Sequence, residues 1–336
     1  MTEEIKQLIE LTWIAQQHKI KSVLATVVAL DGSSYRRPGV RMLIHENGQT
    51  FGAVSGGCVE KEIVLQANSV FKTDIPKVIT YDGRFKLGCE GIIYVLIEPI
   101  NISLDFKNVF NSIVKKRVPF KTESFYSKTE GMSEAYGTQF LLGGERFFLN
   151  EKTNSSKEIK SFNQSFSPLF QLYLFGAEHD AVHLCKAAAN LGWRVTVVAP
   201  ADESKDISFF KGAHDFITPT FETLDVSKID KQTAIILMTH SLSKDVQYLL
   251  ALAETAPAYL GILGPKKRKE SVIDKALEYN PGISIEFLEQ LYGPAGINIG
   301  AESAEEISIS ILAEILSVVR KQKPINLREK SGRIHD

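Results

Sequence analysis

The sequence has few cysteines, almost no net charge and no long apolar segment. Its three cysteines are widely spaced over 336 residues without zinc-binding spacing, which argues against a disulfide framework and for a reducing cytoplasm. A formal net charge of −1 gives no electrostatic basis for binding nucleic acid or an acidic membrane. No apolar run approaches the roughly 20 residues of a membrane-spanning helix, and the N-terminus lacks a signal-peptide pattern. We therefore expect a cytoplasmic protein that binds neither nucleic acid nor membrane.

The composition is that of a globular protein, with 44% apolar and 24% charged residues, and the length suits two domains. From residue 169, regular alternation of strands and helices predicts a parallel, doubly wound sheet. A polar, serine-rich segment without periodicity precedes it. We predict an α/β fold with an N-terminal α/β domain at 1–150, a linker at 151–168, a Rossmann-like C-terminal domain at 169–325 and a tail at 326–336.

Glycine-containing loops follow several predicted strands of the first domain. A hairpin signal at Asn47-Gly48 joins two of these strands, and helical periodicity begins at Cys58. Three strand-to-loop junctions carry glycine beside reactive or charged groups, which favours one shared site formed by the three loops. The predicted strands are 23–30, 40–45, 50–54, 78–81 and 92–97.

The Gly-Gly-Cys turn is the centre of the first domain. Gly56 and Gly57 allow a sharp turn and a close approach to a ligand. The N–H groups of the first helical turn favour anions and stabilise a thiolate at Cys58. The alternative is a structural cysteine buried beside a tight turn.

An arginine loop precedes that turn in the chain. Arg36 and Arg37 offer forked donors suited to phosphate or oxo groups, and Tyr35 lies next to them. A solvated surface pair is the alternative, but flanking glycine and proline in a loop favour a site. A third loop carries Cys89 between Gly88 and Glu90.

These motifs resemble the N-terminal part of the XdhC/CoxI family, and motifs in the second half resemble its C-terminal dinucleotide-fold domain. The resemblance runs in order over most of the chain. The first-half motifs are GSSYRRPG at 32–39, SGGCVE at 55–60 and GCEG at 88–91. Those of the second half are FGA at 175–177, GILGPKKR at 261–268, IGAE at 299–302 and the segment 305–314.

The resemblance implies an accessory factor for molybdenum hydroxylases such as xanthine dehydrogenase. Such a factor binds molybdenum cofactor, assists its sulfuration and delivers it to the apo-enzyme, so it is a maturation chaperone rather than a catalyst. The implied partner is apo-xanthine dehydrogenase or a related molybdenum hydroxylase. A cysteine desulfurase and a second copy of the chain are further candidates.

Molybdenum cofactor (molybdopterin) is a pterin with a dithiolene, an oxo-metal centre and a phosphate. Arginines would bind its anionic groups, Tyr35 would stack on the pterin, and Cys58 and Cys89 would ligate the metal or carry a persulfide. The cleft between the domains is the expected location. The residues expected at the cofactor are Ser34, Tyr35, Arg36, Arg37, Gly56, Gly57, Gly176, Glu178, His179, His240, Gly264, Lys266, Lys267 and Arg268, with Cys58 and Cys89 as the reactive groups.

The second domain departs from a working dinucleotide site. Glu178 replaces the second glycine of the Rossmann fingerprint, where a carboxylate would repel a pyrophosphate. Val198 runs into Ala199-Pro200, so the acid expected for the ribose is missing. Ordinary NAD binding is therefore not expected. The turn from Gly264 to Arg268 offers a basic alternative anion site, or only a solvated first turn.

The remaining candidate functional residues are three histidines and Cys185. His179 and His183 are four residues apart on one helical face, and His240 ends a strand, but such spacing is often incidental and we assign no metal. Cys185 lies on an apolar helical face and is predicted to be a core residue.

Two other functions stay open from the residues alone. One is an NAD(P)-dependent oxidoreductase or, as the resemblance implies, a component associated with xanthine dehydrogenase activity. The other is a nucleotide-binding regulatory module. Glu178 argues against the oxidoreductase.

Overall fold

The computed structural model of the protein describes residues 1–32, 37–54, 57–82, 91–150 and 159–331, and describes Cys58 by its backbone alone. The chain divides into two compact units, Met1–Pro168 and Leu169–Asp336. Over the described ranges, no helix is both long and apolar enough to cross a bilayer.

The first unit is built from two antiparallel sheets and helices packed against them. Its described helices are α1 (Thr2–Gln17), α2 (Cys58–Thr73) and α3 (Leu104–Lys115). Its described strands are β1 (Ser22–Asp31), β2 (Arg41–His45), β3 (Thr50–Gly52), β4 (Lys77–Asp82), β5 (Ile92–Pro99), β6 (Phe120–Tyr126), β7 (Gly131–Met132), β8 (Gly137–Leu142), β9 (Glu145–Phe148) and β10 (Lys160–Phe166). The five strands predicted from apolar runs are confirmed, with small differences at their ends.

The larger sheet has the strand order β3-β2-β1-β5-β4-β7. Val23, Ala25 and Val27 of β1 pack with α2 on one face, because alternate residues of a strand point to opposite faces. Leu24 points the other way, into a core shared with α1, α3 and the second sheet, whose order is β10-β6-β8-β9. β1 is therefore covered on both faces, which explains its continuous apolar sequence.

The prediction of a linker at 151–168 is wrong where the chain forms β10, at Lys160–Phe166. This strand pairs antiparallel with β6 along its whole length and belongs to the first unit. Gln164 and Phe166 are buried, whereas Ser161, Asn163 and Ser165 are exposed. The period-two pattern of a half-buried strand is present, but polar residues at buried as well as exposed positions conceal it.

A carboxylate is buried between the two sheets of this unit. Glu98 of β5 has no exposed surface and accepts hydrogen bonds from the Thr138 N–H at 2.7 Å and the Thr138 hydroxyl at 2.5 Å. Loss of solvation raises the pKa of Glu98 to about 7, against a smaller opposing effect of the Thr138 hydrogen bonds. Protonation of this group near neutral pH is thus linked to the stability of the fold.

We expect Glu98→Gln to reduce the dependence of stability on pH. The pKa of Glu98 in the folded protein, about 7, lies above its ordinary value of 4.5. The contribution of Glu98 to the free energy of unfolding is therefore complete below pH 4.5 and is lost as the pH rises through 7. Between pH 5.5 and 8 the wild type should lose about 2 kcal/mol more than the variant. Urea unfolding in a Trp193→Phe background, with Trp13 of α1 as the reporter, measures this. The control is Glu145→Gln, an exposed position. An unchanged slope in Glu98→Gln would contradict the assignment.

The second unit alternates strands and helices as the sequence predicts. Its described strands are β11 (Gln171–Phe175), β12 (Arg194–Val198), β13 (Ala213–Ile217), β14 (Thr233–Leu237), β15 (Tyr259–Ile262) and β16 (Leu291–Tyr292). Its described helices are α4 (His179–Asn190), α5 (Leu242–Ala251), α6 (Lys266–Tyr279), α7 (Ile285–Glu289) and α8 (Ala304–Val319), with 3-10 helices at Ile207–Phe209, Phe221–Thr223 and Leu327–Glu329.

The strand order of this unit is β13-β12-β11-β14-β15-β16, and every pair is parallel. One apolar core lies between the sheet and α4 and α8, and the other between the sheet and α5, α6 and α7. The predicted fold class, a doubly wound parallel sheet, is confirmed. The chain adds strands on one side of β11 up to β13 and then on the other side from β14, so the strand order reverses between β11 and β14, which is where ligands of such sheets commonly bind.

Candidate functional site

The strands that flank the three predicted loops bring those loops to one end of the larger sheet. β1 ends at Asp31, the register partner of Ile92 at the start of β5, and Ile92 is in turn the partner of Asp82 at the end of β4. β3 runs in the same direction as β1, because both are antiparallel to β2, and its chain continues into α2. The arginine loop, the Gly-Gly-Cys turn and the Cys89 loop therefore all leave from this end.

The described part of the first unit contains only some of the predicted site residues. Arg37 is exposed, and α2 begins at Cys58 as predicted. Outside the described residues lie the Cys58 thiol and Ser34, Tyr35, Arg36, Gly56 and Cys89. Their roles stay predictions.

Gly57 forms the turn into α2. Its φ of 123° favours glycine, while a β-carbon at this position would meet no atom within 4 Å. Its N–H donates to the Glu60 carboxylate at 2.9 Å. The start of α2 thus already carries one negative charge, so an anionic ligand there would depend on cations from other elements.

Arg41 fixes the closing end of the arginine loop. Its buried guanidinium donates to the Gly39 carbonyl at 2.9 Å, to Gln164 Oε1 at 2.5 Å and to Thr122 Oγ1 at 3.2 Å. Gly39 has a φ of 98°, and a β-carbon there would lie 2.4 Å from Gln164 Nε2. Burial lowers the pKa of Arg41 to about 10, so the group stays charged at neutral pH. The second sheet thereby holds the end of the loop.

Asp31 holds the opening end of the same loop, with partners that the sequence did not indicate. Its carboxylate accepts a hydrogen bond from the Tyr94 hydroxyl at 3.0 Å and forms an ion pair with Lys128. The hydrogen bond from Lys128, followed by that from Tyr94, lowers the pKa of Asp31. Lys128 comes from the segment after β6, so only the tertiary structure places its ammonium group here.

In the second unit, Gly176 is required by the packing of two strand ends. Its φ is 133°, and a β-carbon would lie 2.4 Å from the Met238 carbonyl oxygen. Glu178 follows at the N-cap of α4, half-exposed, with its carboxylate 3.9 Å from Lys205 Nζ. The carboxylate therefore lies at the helix start, where a dinucleotide pyrophosphate would bind in a working fingerprint.

Two of the three histidines lie close to separate acids, and the third contacts one of those two. His183 Nδ1 lies 3.1 Å from Glu305, and His240 Nε2 lies 3.7 Å from Asp180. The exposed ring of His179 contacts His183 with ring centroids 4.5 Å apart. Among the residues that the structure describes, no three His, Cys, Asp or Glu side chains form a group suited to a metal.

The predicted basic turn is partly engaged in internal contacts. Arg268 donates to Asp245 Oδ2 through Nε at 3.0 Å and a terminal nitrogen at 2.5 Å. Asp245 is fully buried and also accepts from the Thr239 hydroxyl at 2.6 Å. Arg268 thus connects α6 to Asp245 of α5, which compensates its charge, and Asp245 in turn holds the loop after β14. Lys266 and Lys267 are exposed, Gly264 has a φ of 121°, and the role of this turn as an anion site stays a prediction.

Cys185 is a core residue, as predicted. It is fully buried in the apolar cluster between the sheet, α4 and α8. Burial raises the pKa of its thiol to about 12. It is therefore unsuited to nucleophilic or metal chemistry at neutral pH.

Comparison with known proteins agrees with the resemblance in both halves. Residues 15–82 match the profile of the XdhC and CoxI family, and residues 172–315 match that of the XdhC Rossmann domain. The chain belongs to the XdhC and CoxI family.

Several relatives are similar over most of their length. A Bacillus subtilis protein named as a probable xanthine dehydrogenase subunit is 27% identical over 90% of this chain and 94% of its own. The molybdenum cofactor insertion chaperone PaoD of Escherichia coli is 26% identical over 88% of this chain and 83% of its own. A crystal structure described as a xanthine dehydrogenase from Bacillus halodurans superposes with a TM-score of 0.76 at 28% identity, covering 94% of this chain and 96% of that one.

We expect the protein to bind NAD and NADP more weakly than micromolar, because of the Glu178 carboxylate at the start of α4. Glu178→Gly should raise the affinity by about tenfold, equivalent to ~1.4 kcal/mol of removed repulsion. Isothermal titration calorimetry measures the affinities of the wild type and of Glu178→Gly for NAD and NADP. Glu222→Gln, in the same unit, is the control. Micromolar binding by the wild type would contradict this expectation and favour the oxidoreductase.

Cys58 and Cys185 should differ in reactivity. Cys58 at the start of α2 should react first with iodoacetamide at pH 7, since a helix N-terminus stabilises a thiolate. Cys185 should react only after unfolding, because it is buried and the pKa of its thiol is about 12. Peptide mapping of native and urea-treated protein gives the order. Modification of Cys185 in the native protein at the rate of Cys58 would show the expectation to be wrong.

Proposed function

We propose that the protein binds molybdenum cofactor in its first unit and delivers it to a molybdenum hydroxylase of the xanthine dehydrogenase type. The observation that carries the proposal is the strand register that brings the arginine loop, the Gly-Gly-Cys turn and the Cys89 loop to one end of the larger sheet. Membership of the XdhC and CoxI family and similarity to a relative named as a molybdenum cofactor insertion chaperone support it.

The chemistry of the donor set fits the cargo. The cofactor carries anionic groups, and the arginine loop supplies Arg36 and Arg37 as forked donors. Asp31 and Arg41 hold the two ends of this loop against different parts of the first unit. A loop fixed at both ends loses less conformational entropy on binding, which favours retention of the cargo.

The two remaining cysteines supply the sulfur chemistry in this proposal. Cys58 and Cys89 would ligate the metal of the cargo or carry sulfur destined for it, because a thiolate is both a metal ligand and a nucleophile. A cysteine desulfurase would be the sulfur donor, and a second copy of the chain is a further candidate partner. Cys185 is excluded from this role by its burial in the core.

The oxidoreductase alternative has less support. Such an enzyme would use the second unit to bind NAD or NADP, and its fold is the appropriate one. The half-exposed Glu178 carboxylate at the start of α4 opposes a pyrophosphate there. We therefore assign the second unit no redox role.

We expect the double variant Arg36→Ala/Arg37→Ala to lose cofactor. Each charge-assisted hydrogen bond contributes about 1.5–3 kcal/mol, so retention should fall at least about tenfold. The protein is purified from a host that makes molybdopterin, and the bound pterin is quantified by fluorescence after oxidation. The matched control is Arg146→Ala, which removes an exposed arginine of β9 in the same unit.

Two results would contradict the proposal. One is a wild-type protein that carries no pterin from such a host. The other is a double variant that carries as much pterin as the wild type and Arg146→Ala, which would leave Arg36 and Arg37 as surface groups.

A further inference from the structure

The Asp31 carboxylate stands at the end of the sheet from which the three loops leave. It ends β1, immediately before the arginine loop, and pairs in register with Ile92, which follows the Cys89 loop. Its side chain is 45% exposed, so it is accessible to a ligand at this end. This location makes Asp31 a candidate contact for the cargo, and the following argument rests on the proposed function.

Partners from two different elements fix the orientation of this carboxylate. Tyr94 of β5 donates its hydroxyl hydrogen to Oδ2 at 3.0 Å, and Lys128 donates to Oδ1. The Lys128 ammonium also lies 5.1 Å from the centroid of the Tyr94 ring. Tyr94 is only 8% exposed and packs with Tyr126 and Tyr136. A rigid aromatic cluster therefore supports the charged pair.

The hydrogen-bonding capacity of Asp31 is only partly used by these contacts. An ionised carboxylate has about four lone-pair sites on two oxygens, and each oxygen of Asp31 accepts one described bond. Lys128 and Tyr94 lower the pKa of Asp31, which keeps the group ionised at neutral pH. What remains is an oriented pair of acceptor oxygens, suited to a ligand edge with two parallel N–H donors.

We propose that Asp31 determines specificity for the pterin ring by accepting hydrogen bonds from its 2-amino group and its adjacent ring N–H. These two donors lie side by side on the pterin edge and match the two oxygens of a carboxylate. Lys128 compensates the charge of Asp31, so the carboxylate does not repel the anionic groups elsewhere on the cargo. Asp31 thus recognises the edge of the pterin ring.

The test uses pterin and lumazine as fluorescent probes. Lumazine has the same fused ring, but a carbonyl oxygen replaces the 2-amino group, so one donor becomes an acceptor. Wild-type protein should bind pterin at least about tenfold more tightly than lumazine, because a mismatched edge leaves a polar group unpaired. Asp31→Asn should reverse the preference, since the amide presents one acceptor and one donor. Fluorescence titration at pH 7 measures both affinities.

Two further variants distinguish recognition of the pterin ring by Asp31 from support of the arginine loop by the Asp31–Lys128 pair. Asp105→Asn, at an exposed position in the first turn of α3, is the matched control and should keep the wild-type preference. Lys128→Met removes the ion pair that orients the carboxylate, so it should weaken pterin binding, but because the acceptor oxygens remain it should still bind pterin more tightly than lumazine. If Asp31→Asn and Lys128→Met weaken both probes equally, the pair only supports the loop and the proposal is overturned.

Different experimental results would overturn this inference and the proposed function. Wild-type protein that retains molybdenum cofactor from its host but does not distinguish pterin from lumazine overturns the role of Asp31 alone. Asp31→Asn with an unchanged preference for pterin does the same. Protein that retains no cofactor and binds neither probe overturns both.

Discussion

The pairing of β1 with β5 is the constraint on which the first unit depends. β1 is the central strand, covered by α2 on one face and by α1, α3 and the second sheet on the other. Its register with β5 sets Asp31 beside Ile92 and so fixes where two of the three loops begin or end. A shift of one residue would move every side chain of β1 into the core on the opposite face, where its size and shape would not fit the close packing.

A buried charge, Arg41, and an exposed charge, Asp31, connect this sheet to the rest of the unit. Arg41 reaches the second sheet through Gln164 and Thr122, and Asp31 reaches the segment after β6 through Lys128. Together they hold both ends of the arginine loop. At the buried Arg41, removing a hydrogen-bond partner leaves a polar group unpaired, which costs more than the bond itself contributes. The loop is therefore preorganised at its ends by the surrounding fold.

In the second unit, a close backbone approach at Gly176 and the ion pair of Asp245 with Arg268 hold the loops at the ends of β11 and β14. Gly176 lies where β11 and β14 separate, and the closeness of the Met238 carbonyl excludes a side chain there. Asp245 and Arg268 connect the loop after β14 to α6. Residues that resemble a nucleotide-binding motif thus have structural roles, while Glu178 occupies the start of α4. The fold of a dinucleotide domain is retained, with a glutamate at the helix start where the fingerprint has a glycine.

The sequence alone determined the local elements, because burial imposes a period that apolar residues record. It predicted β1, the start of α2 at Cys58, the doubly wound sheet and the burial of Cys185. It missed β10, whose polar residues occupy both faces. Only the tertiary structure decided which distant groups meet, such as Asp31 with Lys128, 97 residues later. Such contacts depend on strand order and register across the whole unit, which the local pattern of apolar and polar residues does not encode.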